Sequence, residues 1–358
     1  MYMSFQRVFF LLILGILVLT FLRPNGEGYH NSGVSSDTDK KLDVLPKRIV
    51  QIGPSAFIVT NALYLFPEAS SRLIGVADGN QGNGFFASDM DPSFKDKTIL
   101  PRQAGTETVL ALKPDMAVMK DFMKSRMGEP LERMNIRTVY LNLETPETWM
   151  EDLDKLGELF GNKRRADELK SNIRRRVASV EEPLAKLEEK NKPGVLLLYW
   201  NIKDGMMALN VPPLSWIQTR MVEMAGGVPV WKDADLGGRW TLTGIEQIAL
   251  WDPDVILVAA YHVSAVEAVE KIKNDDIWRQ IRAVASNRIH AFPGDYYSWD
   301  QPDIRWLLGL KWLATILHPD YFREVNMVDE ARAFYEEVYE MGEAEFNSLI
   351  LPRLTGLN

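Results

Sequence analysis

Residues 107–119 read ETVLALKPDMAVM, and residues 246–258 read EQIALWDPDVILV. Each copy opens on Glu, runs through an apolar stretch, reaches Pro-Asp at the same offset and continues as a strand-like apolar run. A proline ends a helix because it lacks the amide donor and its ring crowds the preceding turn. Each copy therefore predicts a helix, a stop and a buried strand, one half of an α/β unit. Two copies so far apart are too few for a solenoid. They predict two similar lobes in one chain.

The sequence around the repeats supports this. RIVQIGP, from Arg48, predicts a strand closed at Gly53-Pro54, and SAFIVTNALYLF the helix after it. RLIGVAD (72–78) predicts the next strand, and NQGNGFFASDMDPSF a Gly/Asp-rich loop, a surface or ligand-facing segment. PLERMNIRTVYL gives a further helix and strand. Alternating strands and helices predict an α/β fold with central parallel sheets. TPETWMEDLDKLGELFG (145–161) reads as a helix. From Lys163 onward, Ala166, Leu169, Ile173, Val177, Val180, Leu184 and Leu187 form one apolar stripe at helical spacing. This predicts a single long connecting helix over 163–192, interrupted near Pro183, with Arg174-Arg175-Arg176 on its solvated face. GVLLLYW then reads as a strand buried on both faces, SWIQTRMVEMAGG as a helix capped by glycine, RIHAFPGD as a strand and DIRWLLGLKWLATILHP as an amphipathic helix. The predicted organisation is an N-terminal lobe over 46–162, the connecting helix, a C-terminal lobe over 193–325 and a C-terminal helix over 326–358.

The N-terminus points outside the cytoplasm. A fifteen-residue run without charge, Val8–Leu22, lies between Arg7 and Arg23. As a helix it spans roughly 22 Å at about 1.5 Å per residue, short of the ~30 Å of a bilayer core, and it matches the apolar core of an export signal. Residues 1–23 are read as a signal, or as an anchor if uncleaved, and 24–45 as a polar tether. At 358 residues the chain can hold two cored lobes, and its net charge of -8 argues against nucleic-acid binding. The absence of Cys excludes disulfides, thiolate chemistry and a lipid-modified Cys.

Motifs for phosphate loops, dinucleotide binding, zinc hydrolysis and nucleophile elbows are absent from the sequence. No catalytic or metal-ligating set is therefore assigned. His290 and His318 read as structural, whereas His262 follows the second repeat strand, where open α/β sheets place ligands. Conspicuous side chains in the loops flanking strands are Arg102, Lys120, Trp200 beside Tyr199, Arg239, Trp240, Tyr261 and Tyr297. Aromatic rings beside Arg or Lys suit a bulky, flat, anionic ligand, through stacking and charge-assisted hydrogen bonds. Glu107 and Glu246 open the two repeats. Thr243-Gly244-Ile245-Glu246 also fits a capping box, so helix closure competes with a partner-facing role for Glu246. Ala104 stands at the equivalent of Thr243, and that alternative fails for Glu107.

Taken in order, RIVQIGPSA, RLIGVAD, the two E-x6-PD repeats, the helical connector, MVEMAGG and WRQIRAVASNRIHAFPGD resemble the substrate-binding proteins of bacterial ABC importers, in the class for iron-siderophore, haem and cobalamin uptake. The resemblance covers about residues 46–320. It implies two Rossmann-like lobes joined by a rigid helix, a ligand cleft between them and no enzymatic activity. It also implies that Glu107 and Glu246 salt-bridge Arg residues on the permease transmembrane subunits. The protein would be exported, to the periplasm or the outer face of the cytoplasmic membrane, and would act there as a monomer without a resident cofactor. YYSWDQPDIRWLLGLKWLATILHPDYF resembles the end of the iron-complex branch, which favours a metal chelate such as a ferric siderophore or haem. Cobalamin, molybdate or tungstate, and a nickel chelate are the alternative cargoes; a chelatase-like enzyme and a transporter-free sensor are the alternative roles. Many exported members carry a lipidated Cys, and this chain departs from them in having none.

Overall fold

A computed structural model describes residues 44–203, 206–234 and 237–357. The predicted signal or anchor over 1–23, and all of the tether except Val44 and Leu45, lie outside the described residues. From Leu42 onward the chain is one compact unit.

The first lobe follows the sequence pattern closely. Its elements are β1 (Ile49–Gln51), α1 (Ala56–Leu63), α2 (Glu68–Arg72), β2 (Leu73–Ala77), α3 (Phe86–Met90), β3 (Thr98–Leu100), α4 (Thr106–Ala111), β4 (Met116–Lys120), α5 (Glu129–Arg133), β5 (Arg137–Leu141) and α6 (Pro146–Phe160). The strands form a wholly parallel sheet in the order β3-β2-β1-β4-β5. β1 and β4 are buried at every residue, which explains their apolar runs, each closed by one buried polar residue, Gln51 or Lys120. α1 is mostly apolar and buried along its whole length, with its two polar residues, Thr60 and Asn61, hydrogen-bonded inside.

Gly161, at φ 69°, ends α6, and the Asn162 side chain then caps α7 (Lys163–Leu184) by accepting from the Arg165 amide at 3.1 Å. The stripe residues Ala166, Leu169, Ile173, Val180 and Leu184 are buried. The helix ends one residue after Pro183 rather than running to 192. The arginine triplet is only partly a solvated face. Arg176 is buried, and both it and Arg175 bond Glu337 of the C-terminal region.

The second lobe contains β6 (Gly194–Lys203), β7 (Met206–Val211), α8 (Ile217–Met224), β8 (Val228–Pro229), β9 (Thr241–Thr243), α9 (Ile245–Trp251), β10 (Val255–Ala259), α10 (Ala265–Lys273), α11 (Arg282–Ala285), β11 (Ile289–Ala291) and α12 (Trp306–Leu317). Its sheet is mixed, not parallel throughout. β11, β10, β6 and β8 are parallel, whereas β7 is antiparallel to both β6 and β9. α12 is buried on nearly every side and is a central core helix, not a surface amphipathic one.

The C-terminal region is not one helix over 326–358. α13 (Met327–Tyr339) stops at Glu340, which adopts φ 55°. Shorter turns carry the chain on to Thr355, whose amide donates to the Gly294 carbonyl at 3.0 Å.

Candidate ligand cleft

Loops at the C-terminal ends of the parallel strands meet across a cavity of about 250 Å³, where open α/β folds place their ligands. Ser55 and the start of α1, Asp78, Gln81, Arg102 and Glu144 line it from the first lobe. Trp216, Gln218, Trp240, Tyr261 and Gln301 line it from the second. Ser55 sits in the left-handed region at φ 58°, and the chain turns there so that α1 begins at the cavity wall. A neighbouring cavity of about 340 Å³ shares Gln81 and Tyr261, and is lined by His262, Tyr297 and the loop around Gly294.

The residues singled out in the sequence fall into three groups. Arg102, Trp240 and Tyr261 line the central cavity, and His262 and Tyr297 the neighbouring one. The Arg102 guanidinium donates to the carbonyls of Asp78 (2.8 Å) and Asn80, so two of its donors are already engaged. Tyr297 is buried and stacked on Phe57, with ring centroids 4.3 Å apart.

Lys120 and Trp200 lie elsewhere. Lys120 is 1% exposed and donates to Glu144 and to the Asn142 carbonyl. Its charge neutralises a protein carboxylate, and it is Glu144 that faces the cavity. Trp200 is buried with the Lys271 ammonium 5.4 Å from its ring. Successive strand residues face opposite sides, and the neighbour, Tyr199, packs against the cavity-lining rings without lining the cavity itself. Tyr199 stacks on Tyr261 at 4.4 Å and meets Trp240 at 5.1 Å. Arg239 is exposed and lines neither cavity. The expected wall of three cations thus reduces to Arg102.

Glu107 and Glu246 are both exposed. Each is the second residue of its helix, after a glycine at the N-cap, Gly105 or Gly244, and neither helix has a side-chain cap. The predicted capping box does not form, because Thr243 belongs to β9. Among the described residues neither carboxylate makes a hydrogen bond or ion pair.

Sequence reasoning missed Trp216, Gln218 and Gln301. Gln81 lay in the loop read as surface or ligand-facing, and Trp216 follows Pro212-Pro213, a signal of a shaped turn. Gln218 and Gln301 carried no signal. Behind the wall, the buried Asp300 accepts from Tyr261 Oη at 2.7 Å and Ser298 Oγ at 2.6 Å. Burial pushes its carboxyl up to about 6, against the lowering effect of these hydrogen bonds. Burial also raises the Tyr261 phenol. His318 is held low by burial, and its Nε2 lies 3.1 Å from the Gly226 carbonyl, in a structural setting. Among the described residues no group of three His, Asp or Glu side chains could hold a metal ion.

Residues 86–296 match the family described as periplasmic binding protein. The chain belongs to that family, whose members outside the cytoplasmic membrane bind solutes for ABC importers. Among curated proteins, the molybdate-binding protein MolA of Haemophilus influenzae is 26% identical over 259 residues, covering 65% of this chain and 69% of that protein. Among solved structures, a periplasmic solute-binding protein of Veillonella parvula is 23% identical with a TM-score of 0.68, covering 86% of this chain and 92% of that one. MolA bound to molybdate has a TM-score of 0.68 at 20% identity over 84% of this chain and 95% of its own. Helicobacter pylori CeuE with Ni(II) bound has a TM-score of 0.66 at 16% identity over 86% and 95%. These structures share the two-lobed α/β fold.

Proposed function

We propose that this protein is the extracytoplasmic receptor that captures a metal chelate between its lobes and delivers it to the transmembrane subunits of an ABC importer. The cargo is a metal ion wrapped in an organic ligand, a ferric siderophore or haem. The observation that carries this reading is the aromatic wall of Trp216, Trp240 and Tyr261 facing a polar wall from the other lobe. Such rings give broad contact to an organic ligand, and a bare ion would have little use for them.

Glu107 and Glu246 are the proposed docking acids. Their matching positions, exposure and lack of internal partners support that role. An exposed ion pair contributes only about 0–1 kcal/mol, so two such pairs serve orientation and partner choice more than affinity.

A second reading takes a tetrahedral oxyanion as cargo. The molybdate-binding relative favours it, as do Arg102 and the start of α1 at the cavity, since a helix N-terminus carries partial positive charge. Native mass spectrometry of the protein isolated from its own cells distinguishes the two by the mass of the retained cargo. A panel of ferric complexes, haem, cobalamin and molybdate followed by Trp fluorescence provides the second test. No response to any iron complex would remove the siderophore reading.

A further inference from the structure

Among the described residues, the second-lobe wall of the cleft is built from aromatic rings and neutral amides, with no cation on it. Trp240 meets Trp216 nearly at right angles, at 5.8 Å and 85°, and meets Tyr261 at 6.4 Å and 63°. Tyr199 supports both Trp240 and Tyr261 from behind. The face of an aromatic ring attracts an organic cation placed over it, and three rings line this one space.

Gln218 is 2% exposed and lines the same space. Its amide nitrogen belongs on the side of the Asp300 carboxylate and the Tyr261 oxygen, because a carboxylate only accepts. That orientation leaves Gln218 Oε1, which is buried with no partner. An orphaned buried acceptor costs about 1–3 kcal/mol, a cost that a donor on a ligand removes. Asp300 lies behind Tyr261, and among the described residues no ion pair reaches it. The facing wall is mixed: Arg102 and the start of α1 lie on it together with the Asp78 and Glu144 carboxylates.

We propose that this wall is a subsite for a cationic, hydrogen-bond-donating group of the cargo, an ammonium or a charged amine edge, held by Trp216, Trp240 and Tyr261 and by Gln218 Oε1. The inference rests on the receptor reading and adds a requirement on the cargo: it carries positive charge on the edge that meets the second lobe.

The test uses the full-length protein and two probes of similar shape, ethanolammonium and its uncharged isostere 1-propanol, followed by Trp fluorescence, with molybdate as a third arm. Ethanolammonium is expected to bind at least about 5-fold more tightly than the isostere, within the range of a desolvated cation–π contact. Gln218→Leu is expected to weaken ethanolammonium, and Trp240→Ala to remove the difference between the two probes. Equal binding of the pair, preference for the isostere, displacement of ethanolammonium by molybdate from the second-lobe wall, or no binding of either probe overturns the subsite. Permease association is measured separately. A lost charge preference with permease binding intact removes the subsite alone, and a protein that does not bind its permease removes the receptor reading.

Discussion

Arg305→Met is expected to lower folding stability by about 3–5 kcal/mol, the range for removing one partner of a buried ion pair. Arg305 is 0% exposed. Its Nε donates to Asp295 Oδ1 at 3.0 Å and to Tyr335 Oη at 2.7 Å, and its Nη1 donates to Asp303 Oδ1 at 2.7 Å. The Phe86 ring centroid lies 4.4 Å from the guanidinium carbon. Methionine fills much of the same volume, so the cost falls on electrostatics: Asp295 and Asp303 are left buried without a cation. Against a usual total of about 5–15 kcal/mol, this is a large fraction. Combining Arg305→Met with Asp303→Asn removes one stranded charge and is expected to recover about half of the loss, because Asp295 keeps the Trp299 indole and Tyr335 hydroxyl as donors. Urea denaturation at neutral pH, with the slope unchanged between variants, reads these differences directly. A loss below about 1 kcal/mol for Arg305→Met, or no recovery in the double variant, would refute the reasoning.

Asp300 gives a pH prediction of defined sign. Its folded value of about 6 lies above the ordinary 3.8, so the folded state holds this proton more tightly than the unfolded chain. Its contribution is therefore fully present below about 4 and is lost as pH rises through about 6, by ~3 kcal/mol. The groups facing it are Ser298, Tyr261, Gln218 and Tyr199. Asp300→Asn is expected to flatten this window in a series of melting curves, and an unchanged pH slope would count against it. Charge reversal of Glu107 and Glu246 to Lys is expected to abolish permease association in a pull-down while stability shifts by under about 0.5 kcal/mol; retained association would exclude the docking role. Gly226 lies at φ 74°, with a built Cβ only 2.8 Å from His318 Nε2, so Gly226→Ala is expected to cost about 1–2 kcal/mol in the same urea assay. Paired labels on the two lobes are expected to report only a small distance change on cargo binding, and a change of many ångströms would contradict the seam described below.

Local patterning carried most of the fold. The two E-x6-PD repeats became α4–β4 and α9–β10, because a buried parallel strand and the helix before it are both encoded by contiguous apolar residues. The β6–β7–β9 hairpin region was harder to read. β9 has only three residues, with Leu242 70% exposed, and its pairing is set by tertiary context rather than by alternation. The same distinction divides the site. Aromatics near strand ends were visible, but a one-residue change reverses the face of a strand, which is why Tyr199 and not Trp200 packs behind the rings that line the cleft. Lys120 was misjudged for a different reason: its partner, Glu144, lies one strand away, and no spacing rule links them.

The lobes also meet through polar bonds that no local pattern encodes. Asn61 on α1 donates to Asp303 at 2.7 Å, Gln81 and Gln301 exchange amide hydrogen bonds at 3.0 Å, and Tyr296 donates to Asp89 at 2.7 Å. Gln81 and Gln301 are themselves part of the cavity lining, so the seam begins where the ligand space ends. A hydrogen bond to a charged group contributes about 1.5–3 kcal/mol, and a wide opening of the lobes would break several at once. Thermodynamically the seam favours a cleft held near one width, with selection made by the chemistry of its walls rather than by closure around whatever enters. On the proposed receptor reading, the difference between the two walls, Arg102 and the α1 start beside the Asp78 and Glu144 carboxylates on one and aromatic rings with Gln218 Oε1 on the other, would orient the cargo before delivery. The exposed Glu107 and Glu246, the proposed docking acids on helices of the same two lobes, would then keep a constant spacing, loaded or empty.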